Sequence, residues 1–347
     1  MEVQPARNTQ GIYSKDDVLS VSGDYGVVNQ IQLLGRSFAG KDVSNYHIVR
    51  TNDIVYTKSP LKEFPYGIVK TNQGTAGIVS TLYAVYSAKS NTDPKFVEYY
   101  FSSKERTNKY FKPIVRIGAK HDMKIGNEEV LRNIVVFPSK QEQNKIQEFL
   151  RIIDERIRVQ SKIIEEQETL LKSLRDILLK QSSSSSDHCR IGDILSIGNG
   201  KDYQHLNEGD IPVYGTGGLM CHVNESLYDG ESVCIGRKGT INKPIFLKGR
   251  FWTVDTLFYT HSYKGVLPRF CYHLFCTIDW LTYNEASGVP SLSKSTIEKI
   301  PVLIPTIEMQ GKIVQILDTI EKKVDTDRKT LQNYQDQKAY LLSRMFI

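Results

Sequence analysis

The sequence is short of cysteine and has no long apolar run. Its 347 residues hold five cysteines, Cys189, Cys221, Cys234, Cys271 and Cys276, an odd number with no Cys-x-x-Cys pair. Most stand in apolar or strand-like surroundings, which predicts reduced core residues in place of a disulfide frame or a zinc site. His188 beside Cys189 and His222 beside Cys221 are at no recognised ligand spacing, so no metal is expected. No apolar stretch approaches the ~20 residues of a bilayer span, and residues 1–15 lack an apolar signal core. The expected setting is the cytoplasm, with no membrane partner.

Catalytic motifs are missing as well. Gly35-Arg36-Ser37-Phe38-Ala39-Gly40-Lys41-Asp42 mimics a phosphate-binding loop, but Asp42 stands where a magnesium-binding hydroxyl is required and no buried strand leads in. Gly198-Asn199-Gly200-Lys201-Asp202 and Tyr214-Gly215-Thr216-Gly217-Gly218 are glycine-rich, yet neither opens a helix inside a βαβ unit, so they read as flexible loops. There is no Asx-Pro-Pro-aromatic run to hold a flipped adenine, no serine elbow and no His-Glu-x-x-His. The chain reads as a scaffold or a reader, with no catalytic residue and no cofactor of its own.

What the sequence does have is a long repeat. Phe137-Pro138-Ser139-Lys140-Gln141-Glu142-Gln143-Asn144-Lys145-Ile146 returns as Ile304-Pro305-Thr306-Ile307-Glu308-Met309-Gln310-Gly311-Lys312-Ile313. Each copy opens with Pro, which suits the first turn of a helix, and then runs on without another Pro. Ile146, Leu150, Ile153, Ile157, Gln160, Ile164, Gln167, Leu171, Leu174 and Leu178 follow one another at spacings of four and three. In the second copy the matching positions are Ile313, Leu317, Ile320, Val324, Asp327, Leu331, Tyr334, Lys338, Leu341 and Met345. These are two heptad seams, predicting two long helices that pair within one chain. Both turn polar near the middle, where a buried polar group lowers stability and fixes register.

Cutting at the repeats gives four segments: a first domain over 1–138, a helix with a serine linker over 139–186, a second domain over 187–304, and a last helix over 305–347. The five serines at 182–186 read as a flexible joint. The two domains also resemble each other. Asn52-Asp53-Ile54-Val55-Tyr56 has the pattern of Gly230-Glu231-Ser232-Val233-Cys234-Ile235, and Pro94 and Pro268 each start an amphipathic helix. Strands are expected at Asn133-Ile134-Val135-Val136-Phe137 and Ile300-Pro301-Val302-Leu303-Ile304, each leading into a copy of the repeat. The fold class is therefore mixed α/β: two α/β domains separated by two long antiparallel coiled-coil helices, a pseudo-two-fold tandem duplication.

Net charge is +6, and the first domain carries 18 Lys and Arg against 13 Asp and Glu. Clustering says more. Lys104, Arg106, Lys109, Lys112, Arg116, Lys120 and Lys124 face only Glu105 and Asp122, with Tyr110 and Phe111 among them. Arg237, Lys238, Lys243, Lys248 and Arg250 have no acidic residue between them, with Phe246, Phe251 and Trp252 alongside. Such basic, aromatic-flanked stretches suit phosphate contacts on a duplex. Lys112, Arg116, Lys120, Arg237, Lys238 and Lys243 are the expected DNA contacts among them.

Domain, Pro-led heptad helix, domain, helix, with helix starts Glu142-Gln143-Asn144-Lys145-Ile146 and Met309-Gln310-Gly311-Lys312-Ile313, resembles the DNA specificity subunit of type I restriction-modification systems. The second domain adds Gly200-Lys201-Asp202-Tyr203, Thr216-Gly217-Gly218, Ile235-Gly236-Arg237-Lys238-Gly239-Thr240 and Gly288-Val289-Pro290-Ser291. The resemblance implies that Lys201, Tyr203, Thr216, Thr240 and Ser291 join the DNA contacts. It implies that each domain is a target-recognition domain reading one half of a bipartite, asymmetric DNA sequence, with the helices as the ruler between them. It further implies two copies of a DNA methyltransferase (modification) subunit as partners, carrying adenine methylation, and ATP-dependent restriction subunits in the same complex. The first domain departs from the pattern. Domains of this family begin with a turn like Ile191-Gly192-Asp193-Ile194, and residues 1–15 have no counterpart, so that element is expected to be truncated or replaced. A coiled-coil adaptor without nucleic acid, and a stand-alone nuclease or methyltransferase, are the rival readings; duplex binding and turnover separate them.

Overall fold

The computed structural model describes residues 1–118, 123–181 and 187–346. The expected serine joint at 182–186, and Lys120, lie outside the described residues. The chain groups into two units, Met1–Val159 with Leu331–Ile347, and Gln160–Thr330. Two long helices, Lys140–Gln181 of 42 residues and Ile307–Arg344 of 38, each begin in one unit and end in the other. Each unit therefore holds the start of one helix and the end of the other.

The first long helix is started by a capping box. Ser139 Oγ accepts from the Glu142 amide (3.3 Å), and the Glu142 carboxylate accepts from the Ser139 amide (3.1 Å). Along the heptads, Leu150, Ile153, Ile313, Leu317 and Val324 are buried, while Ile146, Ile157 and Ile320 are half-buried. The direction of pairing is antiparallel in each unit: Lys338 meets Asp154 (2.5 Å) in one, and Arg328 meets Glu168 (2.6 Å) and Arg175 meets Glu321 (3.1 Å) in the other. In the polar middle Gln167 Nε2 donates to Asp327 Oδ2 (2.9 Å) and Lys323 pairs with Asp327 (2.8 Å), while Gln167 Oε1 is buried without a hydrogen-bond partner among the described residues.

The unit with the chain's start is built on an antiparallel sheet in the order Glu2–Val3, Tyr83–Ser87, Ile54–Thr57, Val69–Thr71. Every residue of Ile54–Thr57 is buried, because both faces of the sheet are covered. Ile54 and Tyr56 face one apolar cluster with Val97, Phe101 and Phe111, and Val55 faces the other with Val49, Val79 and Val85, the two-residue period of a strand. Helix Pro94–Tyr100 closes the first face, started by Pro94 and capped by Asp93, whose carboxylate accepts from the Phe96 amide (2.8 Å).

The other unit carries a six-stranded sheet in the order Ser196–Gly198, Leu257–His261, Tyr228–Gly236, Ile245–Thr253, Ile211–Gly215, Gly218–Val223. All neighbours are antiparallel except Ile211–Gly215 with Ile245–Thr253, where Val213 lies opposite Trp252. Helix Pro268–Phe275 fills its core with Phe270, Cys271 and Phe275, against Val233, Ile235, Trp280 and Ile297. Cys234 and Cys271 are buried in the core, and burial pushes the Cys234 thiol up to about 12.

Two expectations from the sequence fail here. Residues 133–137 form no strand, whereas their counterpart does, as Pro301–Ile304 paired with Asp187–Arg190. A two-residue apolar period makes a strand only when a neighbour supplies the ladder. The Gly198–Asp202 run is also not slack: a Cβ on Gly200 would lie 1.9 Å from the Val254 carbonyl oxygen, so the loop is pressed onto the sheet where only glycine fits.

Candidate nucleic-acid interface

The turn that follows strand Tyr228–Gly236 is forced by two glycines. A Cβ on Gly236 would lie 2.2 Å from the Thr240 carbonyl oxygen, and Gly239 adopts φ +95°, a left-handed conformation. The turn is clamped through its backbone. The Arg237 amide donates to the Thr256 carbonyl (2.8 Å), the Leu292 amide donates to the Arg237 carbonyl (2.9 Å), and the Gly239 amide donates to the Pro290 carbonyl (2.8 Å). With these main-chain groups satisfied, the Arg237 and Lys238 side chains are exposed and have no acidic partner among the described residues.

The facing loop, residues 284–293, is equally prearranged. Asn284 Oδ1 accepts from the Ala286 (3.1 Å) and Ser291 (2.9 Å) amides, and its Nδ2 donates to the Ala286 carbonyl (2.7 Å). Glu285 accepts from the hydroxyls of Ser293 (2.8 Å) and Thr296, hydrogen bonds that hold its carboxyl below the usual range. Between turn and loop lies a cavity of about 880 Å³, lined by Asn199, Arg237, Lys238, Phe258, Glu285 and Ser291 among others. Cationic tips, a hydroxyl and amide groups on a rigid open concavity suit an anionic, hydrogen-bonding ligand such as a nucleic-acid backbone and base edge.

The residues singled out in the second domain do not all meet in this cavity. Arg237, Lys238 and Ser291 line it, while Thr216 lies beside the turn, its Oγ1 3.6 Å from where a Cβ on Gly239 would stand. Lys201 is fixed through its backbone, its amide donating to the Thr253 carbonyl and its carbonyl accepting from Trp252 Nε1, both at 2.8 Å. Tyr203 is half-buried against Ile211, Val213 and Trp252, so its ring serves an apolar cluster. Thr240 and the exposed Lys243 continue the same hairpin connection. In the first domain Lys112 is exposed at the end of helix Lys104–Phe111, and Arg116 is exposed on a short ribbon opposite Lys124. Asn199 and Glu285 were not singled out from the sequence; Glu285 carries no outward signal, since its role is to tie a loop.

The aromatic and basic partners of those stretches sort differently than linear order suggests. Tyr110, Phe111, Phe251 and Trp252 are buried, with Phe111 stacked on Tyr56 at 4.4 Å, so none offers a face to a base. Lys248 pairs across the sheet with Glu231 (3.0 Å) and Arg250 with Asp210 (3.6 Å). Arg106 points its guanidinium at the Leu342 (2.7 Å) and Phe346 (3.0 Å) carbonyls, at the end of the second long helix, where a cation is favoured.

One group has the composition of a metal site. His273, Asp318 and Glu321 place ligand atoms within 4.8 Å of one another. Their valences are already taken: His273 Nε2 meets Asp318 Oδ1 (2.8 Å), Arg269 bonds both carboxylates, and Tyr272 donates to Glu321 (2.9 Å). Arg175 Nε donates to His273 Nδ1 (3.2 Å), which fixes the neutral imidazole with its proton on Nε2. A metal cation would have to displace two guanidinium groups, so the cluster is a structural ion network.

Residues 185–333 match the family of the type I restriction modification DNA specificity domain. A type I restriction enzyme EcoprrI specificity subunit of Escherichia coli is 26% identical over 105 residues, covering 30% of this chain and 26% of that one. A putative type I restriction enzyme specificity subunit of Haemophilus influenzae is 26% identical over 103 residues, covering 28% of this chain and 27% of that one. The aligned part thus spans about a quarter of the length of these curated relatives. Among solved structures, the type I restriction-modification system S subunit from M. genitalium superposes with a TM-score of 0.66 at 15% identity, covering 100% of this chain and 93% of that one. A chain from a structure of type I R-M complex assembly and conformational transition gives 0.59 at 12%, covering 100% and 95%. At these identities the superpositions establish the shared fold.

Proposed function

We propose that this chain is the specificity subunit of a type I restriction-modification complex, a sequence-specific DNA reader that performs no catalysis itself. The observation that carries the reading is the pair Arg237 and Lys238, two unneutralised cations held on a clamped turn beside Ser291, inside the segment that matches the specificity-domain family. On this reading the second domain contacts DNA through Lys201, Tyr203, Thr216, Arg237, Lys238, Thr240, Lys243 and Ser291, with Tyr203 acting through its half-exposed edge. The first domain does so through Lys112, Arg116 and Lys120. The two together read a bipartite, asymmetric target, and the seam from Ile146 to Ile157 and from Ile313 to Val324 sets the distance between the halves.

Two methyltransferase subunits and the ATP-dependent restriction subunits are positioned on the DNA by this chain, and S-adenosylmethionine and ATP belong to them. Duplex binding by the full chain with its modification partner, titrated against salt, tests the reading; affinity falls steeply with salt if several phosphates are contacted. Sequencing of methylated adenines in the host genome then gives the target. A chain that binds no duplex, alone or with the modification subunit, returns the protein to the class of coiled-coil adaptors.

A further inference from the structure

The two domains carry hairpins at one topological position. In the second domain, strand Ile211–Gly215 lies parallel to Ile245–Thr253, with Val213 opposite Trp252, and folds back at Gly215 opposite Gly218. In the first domain Val18 bridges in parallel to Ile78, and strand Leu19–Ser22 folds back into Gly26–Asn29 with Ser22 opposite Gly26. Ile78 precedes strand Tyr83–Ser87 as Trp252 precedes Leu257–His261, and each of those strands leads to a Pro-led helix. The first hairpin has the longer arm, from Val18 to Ser22 against Val213 to Gly215.

The tip of the second hairpin holds Thr216, beside the clamped turn of Arg237 and Lys238. The matching tip of the first holds Gly23, Asp24 and Tyr25. Its root is fixed, because Leu19 and Val27 are buried with Val49, Val79 and Val85. The tip is held as well: Ser22 Oγ accepts from the Asp24 (3.3 Å) and Tyr25 (3.2 Å) amides, and Gly26 takes a left-handed φ of +74°. Asp24 is exposed, and Tyr25 is 69% exposed.

No Lys or Arg occurs between Lys15 and Arg36, so the hairpin offers a phosphate no cation, and the Asp24 carboxylate repels one. A carboxylate and an aromatic ring suit base edges instead. In the major groove a carboxylate accepts from the cytosine amino group, and an apolar face packs on the thymine methyl. We infer that Asp24 and Tyr25 are base-reading residues of the first domain, Asp24 accepting from a cytosine amino group and Tyr25 packing on a neighbouring thymine methyl. This rests on the reading of the chain as a DNA specificity subunit, and it assigns the tip a role different from that of the cations Lys112 and Arg116.

The test uses the full chain with its modification subunit, on duplexes that carry the target found by methylated-site sequencing and on duplexes with either half-site scrambled. Asp24→Ala with Tyr25→Ala should keep the melting temperature, since both side chains are exposed. The double variant should lose about tenfold of its discrimination against one scrambled half-site, keep its discrimination against the other, and leave the salt slope unchanged. Equal discrimination by variant and wild type, or a uniform loss over all duplexes with a shallower salt slope, overturns base reading by the tip while the protein remains a DNA reader. A wild-type complex that binds no duplex overturns the reader assignment, and this inference with it.

Discussion

Gln143 and Gln310 occupy the same position in the two copies of the repeat and make the same three hydrogen bonds. Gln143 Oε1 accepts from the Asp93 amide (2.9 Å), and its Nε2 donates to the Asn91 (3.1 Å) and Pro138 (2.9 Å) carbonyls. Gln310 Oε1 accepts from the Leu267 amide (2.8 Å), and its Nε2 donates to the Gly265 (3.0 Å) and Pro305 (2.8 Å) carbonyls. In each unit one side chain ties the start of a long helix to the start of the domain's Pro-led helix. A second pair repeats the scheme: Asp154 accepts from the Tyr99 hydroxyl (2.7 Å) and Glu321 from the Tyr272 hydroxyl (2.9 Å).

Replacing Gln310 by Leu keeps the volume and removes all three bonds, leaving the buried Pro305 carbonyl, the Gly265 carbonyl and the Leu267 amide without this partner. Each stranded group costs about 1–3 kcal/mol, so the variant should lose several degrees of melting temperature, and Gln143→Leu should behave alike in its own unit. Differential scanning calorimetry measures both. A change within the noise for either variant would mean that water replaces the glutamine and that the tie is dispensable.

The seam was legible in the sequence because Ile146, Leu150, Ile153 and their counterparts depend only on spacing along one helix. What Gln143 and Gln310 do was not, since their partners lie on loops brought in by tertiary packing. Linear charge counting took Lys248 and Arg250 as free cations for the same reason: Glu231 and Asp210 reach them across strands. Tyr110 and Trp252 flank basic residues in the sequence, but adjacent residues of a strand or a helix point in different directions, and these aromatic rings turn inward. Residues 133–137 have the apolar period of a strand, and no sequence states whether a strand has a neighbour.

Stability should fall on mild acidification. Burial, with Arg7 and Lys58 nearby, holds the buried His47 imidazole neutral down to about 4, against 6.5 in the unfolded chain. His273 is lowered in the same direction by burial, with Arg175 and Arg269 adding to it and Asp318 and Glu321 opposing. Below 6.5 the unfolded state binds protons that the folded state refuses, so stability is full above that pH and is lost as pH falls toward about 4. After allowance for screening, His47 accounts for about 2 kcal/mol of that loss. Urea titrations from pH 7 to pH 4.5 on the wild type and on His47→Gln read it out; equal slopes against pH for the two proteins would remove His47 as the cause.

Arg237→Ala with Lys238→Ala should weaken duplex binding without altering the fold, because both side chains are exposed and the turn is held by backbone hydrogen bonds. The form of the loss assigns their role. A uniform loss across sequences, with the salt slope reduced by about 1 for each phosphate contact removed, marks backbone contact, and a loss of about 1–3 kcal/mol confined to the cognate site marks base reading. Unchanged affinity and slope would return the turn to an ordinary solvated loop. Lys248→Ala, which removes a cation already paired with Glu231, serves as the control and should leave both quantities unchanged.

If the long helices set the separation of two half-sites, lengthening both by one heptad should change spacing alone. Insertions after Val159 and after Thr330 fall at the boundary between the two units in each helix, so the antiparallel seams keep their register on either side. Seven residues add ~10 Å of helix, or about three base pairs of duplex. Methylated-site sequencing in cells carrying the variant should then return the original two half-sites at a longer spacing, or no modification where the partner subunits cannot follow. Exchange of residues 187–304 for the corresponding domain of another such subunit should instead alter one half-site and leave the other intact. An insertion that changes base preference at unchanged spacing, or an exchange that alters both halves, would refute the division of labour between helices and domains.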